Sequence, residues 1–287
     1  MGRLAYVNGR FLPHGQASVH IEDRGYQFAD GVYEVVPVAD GRLVDEELHL
    51  DRLEYSLGEL KIAMPMRRET LQLLSHELIR RNRLTNGIIY VQVTRGVAPR
   101  DHKFPKAARP ALVMTTKQIK PTSAKQLGEG LAVVTRPDIR WKRPDIKSIS
   151  LLPNCLAKQE AAEAGAGEAW LVDEEGLVTE GSSTNAWIVT KDKRVLTRPA
   201  NRSILNGITR RVLLDVMRKE GYAFEERPFS LGEAEEASEA FITSSSAYVM
   251  PVTRIDGRAV GNGAPGPLTQ ALRKAYIATF APEGSLQ

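Results

Sequence analysis

Residues 31–44 read GVYEVVPVADGRLV, and this segment predicts a sheet built from β-hairpins. Two apolar runs flank the pair Asp40-Gly41, which favours the tight turn of a two-residue hairpin. Pro37 lies inside the first run. Because proline has no N–H to donate to a neighbouring strand, we expect an edge position or a bulge there. Hairpins of this kind argue against a uniform alternation of parallel strands and helices.

The rest of the first 120 residues combines the same pattern with helices. Elements predicted there are a second hairpin in AYVNGRFL around Asn8-Gly9 (residues 5–12), helices at 48–60 and 69–82, and a buried strand at 88–96. The segment TKQIKPTSAKQLG at 116–128 then turns polar, and Pro121 interrupts its periodicity. We therefore place a domain boundary between residues 120 and 121.

The second part of the chain again mixes strands, hairpins and helices. Its predicted elements are strands at 131–137, 169–172 and 241–246, helices at 152–167 and 208–221, and a hairpin at 185–197. The irregular order favours an α+β protein of two lobes.

Composition bounds the class of protein. The chain has 287 residues, 42% of them hydrophobic and 26% charged, which is typical of a soluble enzyme. The 39 basic and 35 acidic residues are mixed along the sequence, so we expect no nucleic-acid partner. No stretch approaches the roughly 18 uninterrupted apolar residues of a membrane span, so we expect no membrane partner. We expect a cytoplasmic location, because the N-terminus lacks the apolar core of a secretory signal and the lone cysteine, Cys155, cannot form an internal disulfide. We interpret Cys155 as a packing residue and expect no metal site.

One lysine lies in a setting that suits covalent chemistry. Lys147 stands between Ile146 and Ile149 in RWKRPDIKSISLLPN (140–154), on what looks like a strand leading to a helix. A desolvated lysine has a lowered amine pKa, and only the neutral amine attacks an aldehyde. A surface lysine at the end of a strand is the ordinary alternative.

A carboxylate at the end of another predicted strand could serve a heteroaromatic ring. Glu180 in LVTEGSSTNAWIV (177–189) precedes Gly181, with Ser182 and Asn185 as candidate supports. A carboxylate there can keep a ring nitrogen protonated, which makes the ring an electron sink. Ordinary surface charge is the alternative.

Three features could bind an anion. Gly207 precedes a predicted helix that begins with Ile208 and Thr209, whose N–H groups are free to bind a phosphate. The hydroxyl-rich TSSS at 243–246 could add donors, and Arg52 could add a full positive charge. Each feature alone is weak, because every helix has an N-terminus and serine-rich turns are usually solvated.

A loop after the strand at 88–96 carries two cationic or donor groups. Arg100 and His102 stand two apart in VTRGVAPRDHKFP (93–105), so both point the same way in an extended conformation. Such a pair makes a carboxylate trap. A solvated loop is the alternative.

Seven ordered segments together resemble the fold-type IV family of pyridoxal-phosphate enzymes, and within it the bacterial D-amino acid aminotransferases. They are IEDRGYQFADGVYEV (21–35), HLDRL (49–53), VTRGVAPRDHKFP (93–105), DIKSISLL (145–152), VTEGSSTNAW (178–187), LNGITR (205–210) and TSSSAYVMPV (243–252). The resemblance implies a smaller N-terminal α/β sandwich at 1–120 and a larger, β-barrel-like domain at 121–287. The larger domain is expected to bind the cofactor and to carry the catalytic lysine.

The resemblance also implies site roles. Lys147 would hold pyridoxal 5'-phosphate as a Schiff base, and Glu180 would pair with its ring nitrogen. The implied phosphate cup consists of Arg52, Ile208, Thr209 and Ser245, with Ser244 adjoining it. The implied ligands of the substrate carboxylate are Tyr33, Arg100 and His102, the last two reaching in from the neighbouring subunit of a homodimer.

Within this resemblance, the arginine and histidine two apart imply the D-amino acid subclass, because branched-chain L-amino acid members and aminodeoxychorismate lyases are not expected to carry that pair in this loop. The placement of the trap relative to the lysine would then select the enantiomer. The expected reaction moves an amino group from a D-amino acid such as D-alanine to a 2-oxo acid such as 2-oxoglutarate, giving pyruvate and D-glutamate. Alternatives are a branched-chain L-amino acid aminotransferase, an (R)-amine transaminase of the same fold, and a non-catalytic binding module. Asp101, between the two trap residues, could weaken the trap's positive field.

Overall fold

The computed structural model describes residues 2–281. Among these residues the chain divides into two compact units, of which unit 1 comprises residues 2–120 with 146–150, and unit 2 comprises residues 121–145 with 151–281. No helix in the described part of the chain is both long and apolar enough to cross a membrane.

Unit 1 is built on one antiparallel sheet. Its elements are β1 (Leu4–Val7), β2 (Arg10–Pro13), α1 (Arg24–Phe28), β3 (Gly31–Ala39), β4 (Arg42–Leu43), α2 (Glu46–Glu59), α3 (Arg68–Asn82), β5 (Gly87–Thr94) and β6 (Ala111–Gln118). Within residues 2–281 the six strands follow the order β2-β1-β6-β5-β3-β4. Leucines of α2 and α3 pack with Val36, Ile89 and Val91 of the sheet to form the core.

Both hairpins predicted in unit 1 are present. Asn8 and Gly9 connect β1 to β2 with positive φ angles of 45° and 95°, as the favoured two-residue turns require. Asp40 and Gly41 connect β3 to β4 with φ of 49° and 74°. Pro37 pairs with β5 but lies beyond the short β4, so its missing N–H is on the edge side, as predicted.

Unit 2 contains a larger, mixed sheet. Its elements are α4 (Ala124–Glu129), β7 (Leu131–Pro137), α5 (Leu152–Glu163), β8 (Glu168–Val172), β9 (Val178–Gly181), β10 (Asn185–Val189), β11 (Val195–Thr197), α6 (Ile208–Glu220), β12 (Phe224–Glu226), α7 (Leu231–Glu235), β13 (Glu239–Ser244), β14 (Tyr248–Ile255), β15 (Arg258–Ala259) and α8 (Pro267–Ala278).

The unit 2 sheet curls back toward itself. In the described part of the chain its strand order is β12-β11-β10-β13-β14-β7-β8-β9, with β15 beside β14. Although β9 is the last strand in this order, Asn185 of β10 donates a hydrogen bond to Glu180 of β9. The last strand of the path is therefore in contact with the third, which is consistent with the barrel-like domain that was expected.

The domain prediction needs one correction. Residues 146–150 belong to unit 1, whereas the sequence placed Lys147 in the C-terminal domain. Ile146 lies in the unit 1 core, and the N–H of Tyr33 donates to the carbonyl of Lys147 at 3.0 Å. The predicted strand at Lys147 is also wrong, because only an isolated bridge between Ser148 and Val32 forms there. Long-range contacts with β3 hold this segment, not a ladder of its own.

The first segment of unit 1 ends at residue 120, at the predicted boundary, and the polar segment contains a short helix, α4, whose N-terminus is stabilised by a reciprocal capping box between Ser123 and Gln126. One smaller expectation differs from the structure. Cys155, interpreted as a packing residue, is exposed on α5 together with Leu152 and Leu156.

Candidate active site

Lys147 lies beside a tyrosine in unit 1. Its Nζ is 4.3 Å from the centre of the Tyr33 ring, a distance at which the ring face attracts a cation. Its backbone N–H donates to Oγ of Ser56 on α2 at 3.2 Å. Lys147 is half-buried, so the desolvation expected from its apolar neighbours is partial in this structure. The contact brings together two of the predicted site residues.

Tyr33 is part of an aromatic pair on neighbouring strands. Its ring stacks on Tyr90 of β5 with 5.6 Å between ring centres, and the Tyr90 hydroxyl donates to Oε1 of Gln92 at 2.7 Å. Burial, followed by the nearby Tyr33, raises the pKa of Tyr90 to about 12. Tyr90 therefore remains a neutral hydrogen-bond donor at physiological pH and supports the ring that contacts Lys147.

Arg52 is buried on α2 in a close pair with Glu34 of β3. Nε of Arg52 donates to Oε1 of Glu34, and Nη2 donates to Oε2, each at 2.8 Å. Nδ1 of His49 also lies 2.7 Å from Oε2 of Glu34. Burial opposes ionisation of Glu34, but the charge and hydrogen bonds of Arg52 prevail and hold its pKa well below the usual range. Burial lowers the pKa of His49, which favours the neutral ring.

The sequence did not assign Glu34 or His49 to the site. Their signals were present, since Glu34 adjoins Tyr33 on the strand, and His49 stands three residues before Arg52 on one helix face. The pair with Glu34 also changes the expectation for Arg52, whose charge is balanced by a carboxylate in this structure. Arg52 belongs to unit 1, whereas the other predicted phosphate ligands belong to unit 2.

The predicted trap residues share one aromatic neighbour in unit 1. Arg100 and His102 are exposed, and both lie against the Phe28 ring of α1, with Cζ of Arg100 at 4.9 Å and the His102 ring centre at 5.5 Å. Oδ1 of Asp101 accepts a hydrogen bond from the N–H of Lys103 at 3.2 Å. This bond commits part of the Asp101 carboxylate to its own loop.

Glu180 is the third residue of β9 in unit 2 and is buried, consistent with the predicted strand end. Its Oε1 accepts from the N–H of Leu205 at 3.1 Å and from Nη1 of Arg140, and its Oε2 accepts from Nδ2 of Asn185 at 2.9 Å. Burial raises the pKa of Glu180, and the charge and hydrogen bond of Arg140 oppose this rise. A buried carboxylate that its neighbours hold in one orientation is suited to binding a cationic ring N–H.

Arg140 was missed by the sequence analysis, although it opens the segment that contains Lys147. Its guanidinium donates through Nε at 2.9 Å and Nη2 at 2.7 Å to Asp138. The Asp138 carboxylate also accepts from Thr179 of β9 at 2.8 Å. Burial disfavours the charged form of Arg140, but Glu180 and Asp138 together raise its pKa above the ordinary value. No local pattern pointed to this ion pair, because its partners are 40 residues apart.

The α6 N-terminus adjoins the Glu180 cluster. Gly207 is the N-cap, Ile208 and Thr209 are the first helical residues as predicted, and their N–H groups have no acceptor one turn earlier in the helix. Nδ2 of Asn185 donates to the carbonyl of Leu205 at 2.9 Å as well as to Glu180. A Cβ at position 207 would displace Oδ1 of Asn185, so glycine there preserves the position of this hydrogen-bonded side chain.

The serine-rich turn lies at the end of β13, against which α6 packs. Ser244 and Ser245 are half-buried, and Oγ of Ser244 accepts from the N–H of Ala247 at 3.2 Å. Arg273 of α8 donates to the carbonyls of Ala247 and Val249, each at 2.7 Å, and so holds the turn. Ser182 does not support Glu180 as predicted, because its Oγ donates to Glu168 instead.

Unit 2 thus groups a buried carboxylate with a helix N-terminus, and unit 1 groups Lys147 with Tyr33. A family model for class IV amino-transferases matches residues 31–255. The chain belongs to the class IV aminotransferase family. The sequence-based family assignment is therefore confirmed.

Relatives of this class IV aminotransferase are similar over nearly its whole length. It is 43% identical to a D-alanine aminotransferase of Bacillus licheniformis over 269 residues, which cover 93% of this chain and 94% of the relative. It is 41% identical to a D-alanine aminotransferase of Listeria innocua, with 94% of each chain covered. A D-alanine aminotransferase of Staphylococcus haemolyticus is 40% identical, with 94% and 95% covered.

Solved structures support the fold of this class IV aminotransferase. The branched-chain amino acid aminotransferase from Escherichia coli matches with a TM-score of 0.88 at 22% identity, covering 100% of this chain and 96% of that one. The branched-chain aminotransferase from the archaeon Thermoproteus uzoniensis, solved with norvaline, matches at 0.85 and 23% identity, covering 96% and 94%. The predicted fold class is confirmed.

Proposed function

We propose that this class IV aminotransferase uses pyridoxal 5'-phosphate to move an amino group from a D-amino acid to a 2-oxo acid. D-alanine and 2-oxoglutarate are the representative pair, giving pyruvate and D-glutamate. The observation that carries this conclusion is the identity of about 40% to D-alanine aminotransferases over nearly the full length of both chains. The branched-chain neighbours are 22% and 23% identical and support the fold alone.

The residues of each unit fit the cofactor's chemical groups. The cofactor, when bound, supplies an aldehyde that combines with amines and a protonated ring that accepts electrons from the substrate's α-carbon. Each oxygen of a carboxylate can accept two hydrogen bonds, and within residues 2–281 Oε2 of Glu180 accepts one, from Asn185. Oε2 therefore has capacity for one further donor, and we assign it to the ring N–H.

Lys147 is the proposed base. Its Nζ would hold the cofactor covalently, and the amine freed by substrate would accept the proton of the substrate's α-carbon. The contact with the Tyr33 ring limits the directions in which this amine points. The neutral Tyr90 beneath Tyr33 adds rigidity without adding charge.

The proposed phosphate ligands combine uncharged donors with one cation. The N–H groups of Ile208 and Thr209 and the hydroxyl-bearing turn at Ser244 and Ser245 offer uncharged donors. Arg52 supplies the cation, held in orientation by Glu34. A bidentate pair with a buried carboxylate restricts the rotamer of Arg52, which reduces the entropy lost when it binds a phosphate.

Tyr33, Arg100 and His102 are the proposed ligands of the substrate's α-carboxylate. We propose further that the enzyme is a homodimer in which Arg100 and His102 act on the neighbouring subunit's cofactor. The exposure of both side chains is compatible with that role. The single cysteine, Cys155, is compatible with the cytoplasmic location that we also propose.

The decisive experiment is a substrate panel with 2-oxoglutarate as acceptor. D-alanine, L-leucine and an (R)-amine are each supplied as amino donor, and the product oxo acid or ketone is measured. D-alanine is expected to give the highest kcat/KM. Preference for L-leucine would favour a branched-chain enzyme instead, and preference for the amine would favour an amine transaminase. A protein that is yellow on purification excludes the non-catalytic alternative.

A further inference from the structure

The short helix α1 presents two residues toward the loop that carries Arg100 and His102. Arg24 and Phe28 are four residues apart and so share one face of the helix, with Cζ of Arg24 at 4.7 Å from the Phe28 ring centre. The helix is fixed at its start by Asp23, whose Oδ1 accepts from the N–H of Gly25 at 2.8 Å. Thr94 of β5 donates to the other Asp23 oxygen at 3.0 Å. The start of α1 is therefore anchored to the sheet.

The Arg24 side chain binds the backbone of that loop. Its Nη1 donates to the carbonyl of Asp101 at 2.5 Å and lies 3.4 Å from the carbonyl of Lys103. These two carbonyls flank His102 on either side. Nε of the same guanidinium donates to Oδ2 of Asp30 at 2.7 Å. Arg24 is 3% exposed, so water competes only weakly for these hydrogen bonds.

The Phe28 ring forms a platform for the loop's side chains. Arg100 lies over its face at 4.9 Å, and the His102 ring is inclined at 50° to it at 5.5 Å. An aromatic face attracts a guanidinium and packs against an imidazole while leaving their outward N–H groups free for other partners. One ring therefore holds both trap residues without consuming the donors that a carboxylate needs.

The start of the loop is tied to the same helix by backbone bonds. The N–H of Arg24 donates to the carbonyl of Gly96 at 2.9 Å, and Asp23 forms an isolated bridge with Val97. Both ends of the Gly96–Lys103 segment thus meet α1 or the residue before it. Exposed arginine and histidine side chains on such a loop are restrained although they are not buried.

We propose that Arg24 and Phe28 are positioning residues that hold Arg100 and His102 as a preformed carboxylate trap, so that α1 sets the affinity for substrates with an α-carboxylate. This inference rests on the proposed role of Arg100 and His102. A preformed trap loses less side-chain entropy on binding than a free one. D-amino acids and 2-oxo acids share the α-carboxylate, so the contacts of Arg24 and Phe28 affect both half-reactions alike.

The test compares Phe28→Leu and Arg24→Gln with Phe28→Tyr, which keeps the aromatic face. Each holoenzyme is mixed with D-alanine alone, or its aminated form with 2-oxoglutarate alone, and the cofactor absorption gives an apparent dissociation constant and a limiting rate. Phe28→Leu and Arg24→Gln are expected to raise both dissociation constants about tenfold, because two side chains must be immobilised on binding. Limiting rates should stay within about twofold, and Phe28→Tyr should restore parental affinity.

A matched control is Phe11→Leu on edge strand β2. Cζ of Arg81 lies 4.3 Å from the centre of the Phe11 ring, which is the same kind of contact as that between Arg100 and Phe28. It should leave both constants unchanged. Arg100→Ala separates the inference from the proposed function. If Arg100→Ala loses affinity while Phe28→Leu and Arg24→Gln keep it, the role of Arg100 is supported and the positioning role of Arg24 and Phe28 is refuted. Parental affinity in Arg100→Ala refutes both. If Arg24→Gln fails to fold, the Phe28 pair of variants decides.

Discussion

Nη1 of Arg140 donates a hydrogen bond to Oε1 of Glu180, and the two side chains are only 7% and 5% exposed. The same guanidinium binds Asp138, so one cation holds two carboxylates in a weakly polarisable interior. Burial alone would favour a protonated Glu180, and Arg140 opposes that tendency. The contact with Arg140 therefore favours the anionic form of Glu180, which is the form that a protonated ring nitrogen requires.

Replacing Arg140 by methionine is expected to raise the pKa of Glu180 further. A protonated Glu180 is no longer a charge-assisted partner of the ring N–H, so pyridoxal 5'-phosphate binding should weaken about tenfold. The apoenzyme should lose about 3–5 kcal/mol of stability at neutral pH, because removing one partner leaves buried carboxylates uncompensated. A raised folded-state pKa gives stability that is fully present below the unfolded pKa and is lost as pH rises through the folded value. The stability difference between the parent and Arg140→Met apoenzymes, measured by urea unfolding, should therefore be larger at pH 8 than at pH 5.

The matched variant for that experiment is Arg140→Lys, which keeps the charge but not the fork that reaches both carboxylates. Its cofactor affinity should lie between those of the parent and Arg140→Met. Equal affinity in all three proteins would contradict the proposed link between Arg140 and the ring.

Glu34→Gln tests the partner of Arg52. The substitution leaves a buried guanidinium without its carboxylate and is expected to cost about 3–5 kcal/mol at pH 7. Because the folded-state pKa of Glu34 is depressed, its contribution is present above the unfolded pKa, near 4.5, and is lost as pH falls toward the folded value. The difference between the urea midpoints of the parent and variant apoenzymes should therefore be smaller at pH 4 than at pH 7. A constant difference between the two proteins would show that Glu34 is not the titrating group.

Lys147→Ala is expected to purify without the absorption band of lysine-bound cofactor and to lose at least about 10³-fold in kcat, because both the covalent anchor and the proton acceptor are removed. Lys147→Arg keeps the positive charge and should lose the band equally. A normal band in either variant would show that another amine binds the cofactor.

Local sequence patterns predicted those parts of the fold and of the site that neighbouring residues determine. The turns at Asn8-Gly9 and Asp40-Gly41, the α6 N-terminus and the strand carrying Glu180 all follow from neighbouring residues. Pairings between distant residues were not predictable in this way. Glu34 and Arg52 are 18 residues apart, Arg140 and Glu180 are 40 apart, and Lys147 is held by β3 and α2. The strand prediction at Lys147 failed because tertiary hydrogen bonds, which a periodicity does not encode, set its backbone.

Arg100→Ala is expected to reduce kcat/KM for D-alanine about 100-fold, since a charged ligand of the substrate carboxylate is lost. The proposed dimer makes a sharper prediction when this variant is combined with Lys147→Ala in one hybrid. If Arg100 acts on the neighbouring subunit's cofactor, the subunit that retains Lys147 receives an intact Arg100 from its partner. Each hybrid dimer then contains one complete site.

The two variants are co-expressed with different affinity tags, and the hybrid is isolated by sequential purification. Its activity per dimer should be about half that of the parent, while each variant homodimer is nearly inactive. If Arg100 instead served its own subunit, the hybrid would have one site without the lysine and one without the arginine, and its activity per dimer would be about half that of the Arg100→Ala homodimer.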